Sequence, residues 1–381
     1  MKFIYVFLLT ILLSIFRIMP AYAIENPLDV PNNKIGIHIL FPSEIINAAK
    51  LVNANGDWGY VVIPIQAGDK DLLKWQKFMD DAKELHIIPI IRIATEIDYF
   101  NSLVWSKPKY WDILDFANFL DSLTWPITNR YIIIFNEVNR SDEWGGSTNP
   151  SEYADILNYS IEIFKSINKD FFIISSGMDN GAATVRGVSI NQYDYFREMN
   201  NAIPGIFNNI DGLASHSYPN PAFAQPPSIK GATTITSFLY EKRLIESLTN
   251  GKDIPVFITE TGWSNKVVSD DLISIYFATA LDNVWNNSRI VAIIPFILEA
   301  GAPFDEFSFI NSDGSKSKVY KIVEKIEKIK GEPKLEKIIV DKKIESKIIQ
   351  DIKDFSYHEN ILKVSKLSED VKKAIRWLLK I

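Results

Sequence analysis

Two rhythms of apolar and polar positions run along this chain. From about Lys34 to Lys330, short runs rich in Ile and Val are separated by longer amphipathic stretches. The runs are KIGIHIL, GYVVIPIQ, HIIPIIRIAT, RYIIIFNEVN, FFIISSGMD, IDGLASHSYP, PVFITETGW and IVAIIPFILEA. Because they are nearly continuous rather than strictly alternating, they predict strands buried on both faces, as in a parallel sheet. The intervening stretches are SEIINAAKLV, KDLLKWQKFMDDAKEL, YWDILDFANFLDSL, NPSEYADILNYSIEIFKSI, NQYDYFREMNNA, TTITSFLYEKRLIESLT, SDDLISIYFATALDNVW and KSKVYKIVEKIEKI. Most repeat apolar residues every three or four positions, which predicts helices with one buried stripe. Ser43 ahead of Ile45 and Ile46, and Asn149 ahead of Pro150, read as helix caps.

Eight strand–helix repeats predict an α/β fold, a (β/α)8 TIM barrel spanning residues 24–330. A doubly wound open sheet is the alternative, but it would want a Gly-rich phosphate loop after an early strand. The first strand here is followed by FPSEII, without that fingerprint.

Both ends depart from the repeat. Phe3 to Phe16 is apolar apart from Thr10 and Ser14, follows Lys2, and precedes the A-x-A triplet Ala21-Tyr22-Ala23. The run is shorter than the roughly 20 residues a membrane span needs. It predicts a signal peptide over 1–23 cleaved near Ile24, and hence a secreted or cell-envelope protein, with a retained anchor as the alternative. Beyond a Gly-Glu-Pro break, residues 331–381 are rich in Lys and Ile and predict a small C-terminal appendage. Within it, LEKIIV and ILKVSKL suit strands, and SEDVKKAIRWLLKI suits a helix capped by Ser368.

Composition narrows the chemistry. The 381-residue chain has no Cys, which excludes thiol catalysis, disulfides, Cys-based zinc sites and iron–sulfur clusters. A net charge of −6 leaves no basic footprint for nucleic acid. The appendage holds 12 Lys+Arg against 9 Asp+Glu, leaving 29 against 38 in the remainder. An acidic body with many aromatics suits a neutral polar ligand better than a polyanion. The four His, at 38, 86, 216 and 358, form no H-x-H pair, so a metal hydrolase is disfavoured. No metal or organic cofactor, no lasting membrane partner and no second subunit are expected.

Barrel active sites lie at the C-terminal strand ends. The polar groups there are His38, Gln66 with Asp69, Arg92, Asn136 with Glu137, Ser175 to Asp179, His216 with Tyr218, Glu260 and Glu299. Glu137 and Glu260 each end an otherwise apolar strand. A facing carboxylate pair can cleave a glycosidic bond, one protonating the leaving oxygen while the other attacks the anomeric carbon. A separation of about 5–5.5 Å implies retention through a covalent intermediate, and about 6.5–9.5 Å implies inversion.

FNEVN followed by ITETGW resembles the retaining glycoside hydrolases of clan A, a (β/α)8 superfamily. The resemblance implies that Glu137 is the acid/base, Glu260 the nucleophile, and Asn136 a hydrogen-bond partner of the sugar 2-hydroxyl. SHSYP is also similar to the clan, which implies that Tyr218 holds Glu260 and His216 contacts substrate. The likeness follows the whole barrel by element order but is close only in these three motifs. Val138 replaces the usual Pro after Asn-Glu. PFILEA offers Phe296 or Glu299 where the clan commonly places a Trp under the sugar. An Arg usual on strand two in one large family is missing, and Arg92 on strand three stands nearest to replacing it.

Each residue has a plainer reading. Glu137 could cap a helix or pair with Arg92 or Arg140, and Glu260 could cap the helix near Ser269. His38 and Arg92 fit either function or hydrogen bonding inside the barrel. Trp105, Trp144 and Trp263 follow strand ends, where a ring can stack on a sugar, Trp263 foremost; the other Trp suit packing. The combined expectation is a retaining glycosidase acting on an oligo- or polysaccharide. A non-catalytic polysaccharide-binding or cell-wall barrel and a transglycosylase are the alternatives. Long segments after strands three, four and six favour a cleft.

Overall fold

The computed structural model describes residues 24–98 and 103–336. The expected signal segment and residues 337–381 of the expected appendage lie outside the described residues. Eight strands are present: β1 (Gly36–His38), β2 (Gly59–Gln66), β3 (Ile87–Ala94), β4 (Arg130–Ile134), β5 (Phe171–Ile174), β6 (Leu213–His216), β7 (Val256–Thr261) and β8 (Ile290–Pro295). They alternate with α1 (Ile45–Val52), α2 (Leu72–Glu84), α3 (Tyr110–Asp121), α4 (Pro150–Ile167), α5 (Gln192–Ala202), α6 (Ser237–Leu248), α7 (Asp270–Asn283) and α8 (Lys318–Lys325).

The strands pair in parallel and in chain order, β1 to β5 and β6 to β8. Parallel bridges Ile174 to Gly212 and Ile35 to Ile293 join the two sheets at both seams. At the second seam the Ile293 N–H donates to Lys34 O at 2.8 Å and the Leu298 N–H to His38 O at 2.9 Å. The result is the (β/α)8 barrel that the repeat count predicts.

The continuous apolar runs divide by strand parity into two cores. Val61, Ile63, Ile91, Ile132, Ile134 and Ile258 face outward and pack with the helices. Tyr60, Val62, Ile90, Tyr131, Ile133, Phe172 and Phe257 fill the barrel interior. Tyr131, Phe172 and Phe257 meet there with ring centroids 4.9, 5.6 and 5.7 Å apart, which closes the barrel below the strand ends.

Helix starts follow the expected chemistry in most places. Asp71 accepts from the Leu73 and Lys74 N–H groups, and Asn149, with Pro150 behind it, accepts from Glu152. Ser43 does not cap α1. A 3-10 turn, Pro42–Glu44, precedes that helix, and the Glu44 carboxylate accepts from the Leu40 and Phe41 N–H groups instead.

Residues 331–336 cross the N-terminal face of the barrel. The Gly331 N–H donates to Asp57 O, the Thr128 N–H donates to Lys334 O, and Glu336 accepts from Arg130 at 2.8 Å and from the Trp125 N–H at 2.7 Å. Among the described residues no helix is long and apolar enough to cross a membrane.

Replacing Phe257 by Ala removes one of the three rings that meet in the interior. The expected loss is about 3–5 kcal/mol, read as a lower urea midpoint with an unchanged slope. A loss below about 1 kcal/mol would contradict the interior packing.

Candidate active site

The strand ends form a polar cup above the aromatic layer. On β3 the interior parity that holds Ile88 and Ile90 continues to Arg92. On β4 the simple alternation stops. Phe135 and Glu137 take positive φ angles of 64° and 36°, rare for residues with a Cβ. The Phe135 ring turns outward against Trp144, 6.0 Å between centroids, while Glu137 returns towards the axis. The Glu137 N–H donates to Gly177 O at 2.9 Å, which ties the end of β4 to the segment after β5.

Glu260 reaches the cup through another irregularity. Phe257 faces in and Ile258 faces out, so strict alternation would turn Glu260 outward with Ile258. The β6–β7 register pairs Ser215 with Ile258 but His216 with Glu260, so one extra residue, Thr259, bulges on β7. That bulge re-aims Glu260 into the barrel.

Five side chains surround the two carboxylates. His216 Nδ1 lies 2.9 Å from Glu137 Oε1 and 3.7 Å from Glu260 Oε2. The Tyr218 hydroxyl donates to Glu260 Oε2 at 3.1 Å. Arg92 stands 3.7 Å from Glu260 Oε1, and Arg140 donates to Glu137 Oε2 at 3.3 Å. His38 Nε2 is 4.0 Å from Glu260 Oε1.

Burial and charge set the protonation of these neighbours. Burial, reinforced by Arg92 and His216, holds the His38 imidazole well below its usual pKa, so it is neutral. Burial also opposes charge on His216, but Glu260 and Glu137 outweigh it and its pKa is raised. The Tyr218 hydroxyl is kept protonated, first by burial and then by the charges of Glu260 and Glu137. Glu143, on the loop after β4, is pushed up to about 7 by burial and then by Glu137, with Arg92 acting against them. Behind β6, Ser215 donates to the buried Glu241 of α6 at 3.0 Å, and Ser217 meets Ser237 at 3.0 Å. These bonds hold β6 against its helix on the side opposite His216.

Glu137, His216 and Glu260 offer three ligand atoms within 4.8 Å of one another. This set could hold a divalent cation by donor type. Arg92 and Arg140 already bring positive charge to the same two carboxylates, which disfavours one.

Six of the sequence candidates therefore converge: His38, Arg92, Glu137, His216, Tyr218 and Glu260. Asn136 sits beside Glu137 with its Oδ1 buried and unpaired among the described residues. The ion-pair readings divide, since Arg140 takes Glu137 and Arg92 takes Glu260. Glu260 is no helix cap; Ser269 caps α7 by itself.

Two tryptophans correct the expectation of sugar stacking. Trp144 is 1 % exposed, enclosed by Phe135 and Tyr153. Trp263 is 2 % exposed, packed on Tyr276, Phe277 and Trp285, with its Nε1–H donating to Gln225 O at 2.8 Å. Neither ring has a face open to a ligand. Glu299 is also displaced from its expected place. It is exposed on the rim and acts on Glu44, whose carboxyl burial pushes up to about 7 with Glu299 adding to the effect. No contact among the described residues joins Glu299 to the carboxylate pair.

Sequence reasoning singled out Phe296 but missed the phenylalanine chain it belongs to. Phe223, Phe307, Phe296 and Phe304 run edge to face from Tyr218 to the rim, with centroids 5.0–6.1 Å apart. Phe296 also packs on His38 at 5.3 Å. Gly177 was legible only as part of a polar strand end. A Cβ there would lie 2.2 Å from His216 Cδ2, so only Gly lets the imidazole sit against the segment after β5.

No family model and no curated protein matches the chain in sequence. Solved structures do match it in fold. A family 39 glycoside hydrolase from the gut symbiont Bacteroides cellulosilyticus WH2 is 19 % identical with a TM-score of 0.53, over 79 % of this chain and 64 % of that one. This chain thus spans less than two thirds of that protein's length. A family 39 β-xylosidase from Caulobacter crescentus is 14 % identical with a TM-score of 0.55, over 77 % and 71 % of the two chains. A family 128 (subgroup II) endo-β-1,3-glucanase from Sorangium cellulosum is 14 % identical with a TM-score of 0.51, over 77 % and 98 %. At these identities the likeness is one of fold, and the folds are those of glycoside hydrolases.

Gly177→Ala is expected to push the His216 imidazole off Glu137 while leaving the barrel folded. In NMR the Nδ1–H resonance of His216 should shift upfield or vanish, with a stability loss of about 1–3 kcal/mol. An unchanged resonance would show that the close packing of Gly177 on His216 does not position the ring.

Proposed function

We propose that the protein is a retaining glycoside hydrolase that cleaves O-glycosidic bonds of an oligo- or polysaccharide. Glu137 is the acid/base and Glu260 the nucleophile. The observation that carries this reading is the separation of the two carboxylates, whose nearest oxygens lie within 4.8 Å. That spacing suits double displacement, in which the gap is about 5–5.5 Å, and is too short for a water to stand between them as inversion requires.

In the first step Glu137 gives its proton to the glycosidic oxygen. Glu260 bonds to the anomeric carbon as the bond to the departing sugar breaks. In the second step Glu137, now a carboxylate, takes a proton from water, and the resulting hydroxide displaces Glu260 from the sugar. The Tyr218 hydroxyl and Arg92 bind Glu260 from two sides, which orients the attacking carboxylate and offsets its charge. Asn136, next to Glu137 in the chain, is the residue assigned to hydrogen-bond a sugar hydroxyl at the cleavage site. Phe296 and Phe304 supply the aromatic surface that the strand-eight Trp supplies in the clan, since the C–H face of a sugar is apolar.

The chain needs no metal or organic cofactor for this chemistry. We place the enzyme outside the cytoplasm, on the strength of residues 1–23, and take residues 331–381 as a small Lys- and Ile-rich C-terminal appendage.

Glu260→Ala should lower turnover of an aryl glycoside by at least about 10⁴-fold. Azide should restore it and yield a glycosyl azide of inverted configuration. No rescue would remove the nucleophile assignment. Glu137→Ala should slow natural glycosides by about 10²–10⁴-fold and activated aryl glycosides much less, because a good leaving group needs little protonation. Equal losses on both would argue against the acid role. Wild-type protein that binds glycans but hydrolyses none across a broad panel would favour a binding barrel.

A further inference from the structure

Arg140 is held more elaborately than a surface arginine needs to be. Its Nε and one terminal nitrogen grip Asp142 as a fork, at 3.1 and 2.6 Å. The other terminal nitrogen points into the cup, 3.3 Å from Glu137 Oε2 and 3.6 Å from Asp179 Oδ2. Three carboxylates thus hold one guanidinium, and only Glu137 belongs to the reacting pair.

The backbone around it is equally constrained. The Arg140 N–H donates to Glu137 O at 2.8 Å and closes a tight turn directly after the positive-φ residue. Arg140 also bridges Ser189 in antiparallel fashion, and the Ser141 N–H donates to Val188 O at 2.8 Å. Asn139 ties Asp179 into the same unit, accepting its N–H at 3.0 Å and donating to its O at 3.1 Å. The loops after β4 and β5 therefore fold together around one side chain.

We infer that Arg140 is a positioning residue for Glu137, a fork-anchored clamp that fixes the carboxylate between itself and His216. This inference rests on the assignment of Glu137 as acid/base. The geometry requires such a clamp because each oxygen of Glu137 has one cationic or acidic-proton partner, His216 on Oε1 and Arg140 on Oε2. Without Arg140, Glu137 Oε2 would lose its hydrogen-bond donor, and most of the charged groups around Glu137 are acids. Glu143 and Asp142 come from its own loop, Asp179 from the segment after β5, and Glu260 from β7, with Arg92 on β3 balancing Glu260 and Glu143. The carboxylate would then turn away from its neighbours and lose the single orientation that proton delivery needs. The clamp also adds a positive charge, screened by partial exposure, beside the group whose proton is transferred.

The test compares wild type with Arg140→Met and Arg140→Gln, two neutral variants, so that one can serve if the other fails to fold. Arg140→Lys keeps the charge but not the fork. Crystal structures of the neutral variants should show the Glu137 carboxylate more than about 1 Å from its place against His216, or split over two conformers. In kinetics on an unactivated glycoside, kcat should fall about 10–100-fold with little change in KM. Arg140→Lys, which keeps the charge, should restore only part of kcat. A carboxylate that stays in place in both neutral variants, with kcat unchanged, would overturn the inference. If wild type cleaves no glycoside, the glycosidase reading fails, and the clamp is still decided by the crystal structures alone.

Discussion

Two carboxylates held within 4.8 Å of each other in a largely buried cup are the constraint around which this molecule is arranged. Like charges at that distance repel, and burial removes the water that would otherwise screen them. Each oxygen therefore needs a donor or a cation from the protein. His216 stands between the pair, Tyr218 and Arg92 attend Glu260, and Arg140 attends Glu137. These groups come from β3, from β6 and the residues just after it, and from the loop after β4, so they can assemble only in a closed barrel.

Regular strands alone would not have delivered the pair. A β-bulge at Thr259 turns Glu260 inward, and left-handed backbone at Phe135 and Glu137 sends one side chain out and the other in. Such conformations cost of order 1–3 kcal/mol each. The surrounding bonds fix them in place, Gly177 O to the Glu137 N–H on one side and the packing of Phe135 on Trp144 on the other. Irregularity is concentrated where the chemistry is, and the lower barrel, filled by Tyr131, Phe172 and Phe257, keeps to simple alternation.

The architecture was legible because burial imposes a local period. Buried parallel strands need continuous Ile and Val, their helices need a stripe, and eight such units leave few alternatives to a barrel. The six converging site residues were legible for a related reason: polar groups at the ends of apolar strands are costly unless something uses them. Trp144 and Trp263 went astray because their place in the chain, after a strand end, does not say which way a ring turns. The outward flip of Phe135 buries one, and the aromatic cluster on α7 buries the other. Glu299 sits one step too far along the loop and reaches solvent rather than the cup.

What the sequence determined by itself is which residues end each strand and what each could do, since side-chain chemistry and the periodicity of burial are local properties. Which of them meet was decided only by the tertiary structure. Arg92 and Arg140 were equivalent partners for Glu137 along the chain, and in space one serves Glu260 and the other Glu137. That division depends on barrel closure, on one bulged residue and on two loops folding around a guanidinium. These are long-range geometries, and no local pattern of residues encodes the distance between strands four and seven.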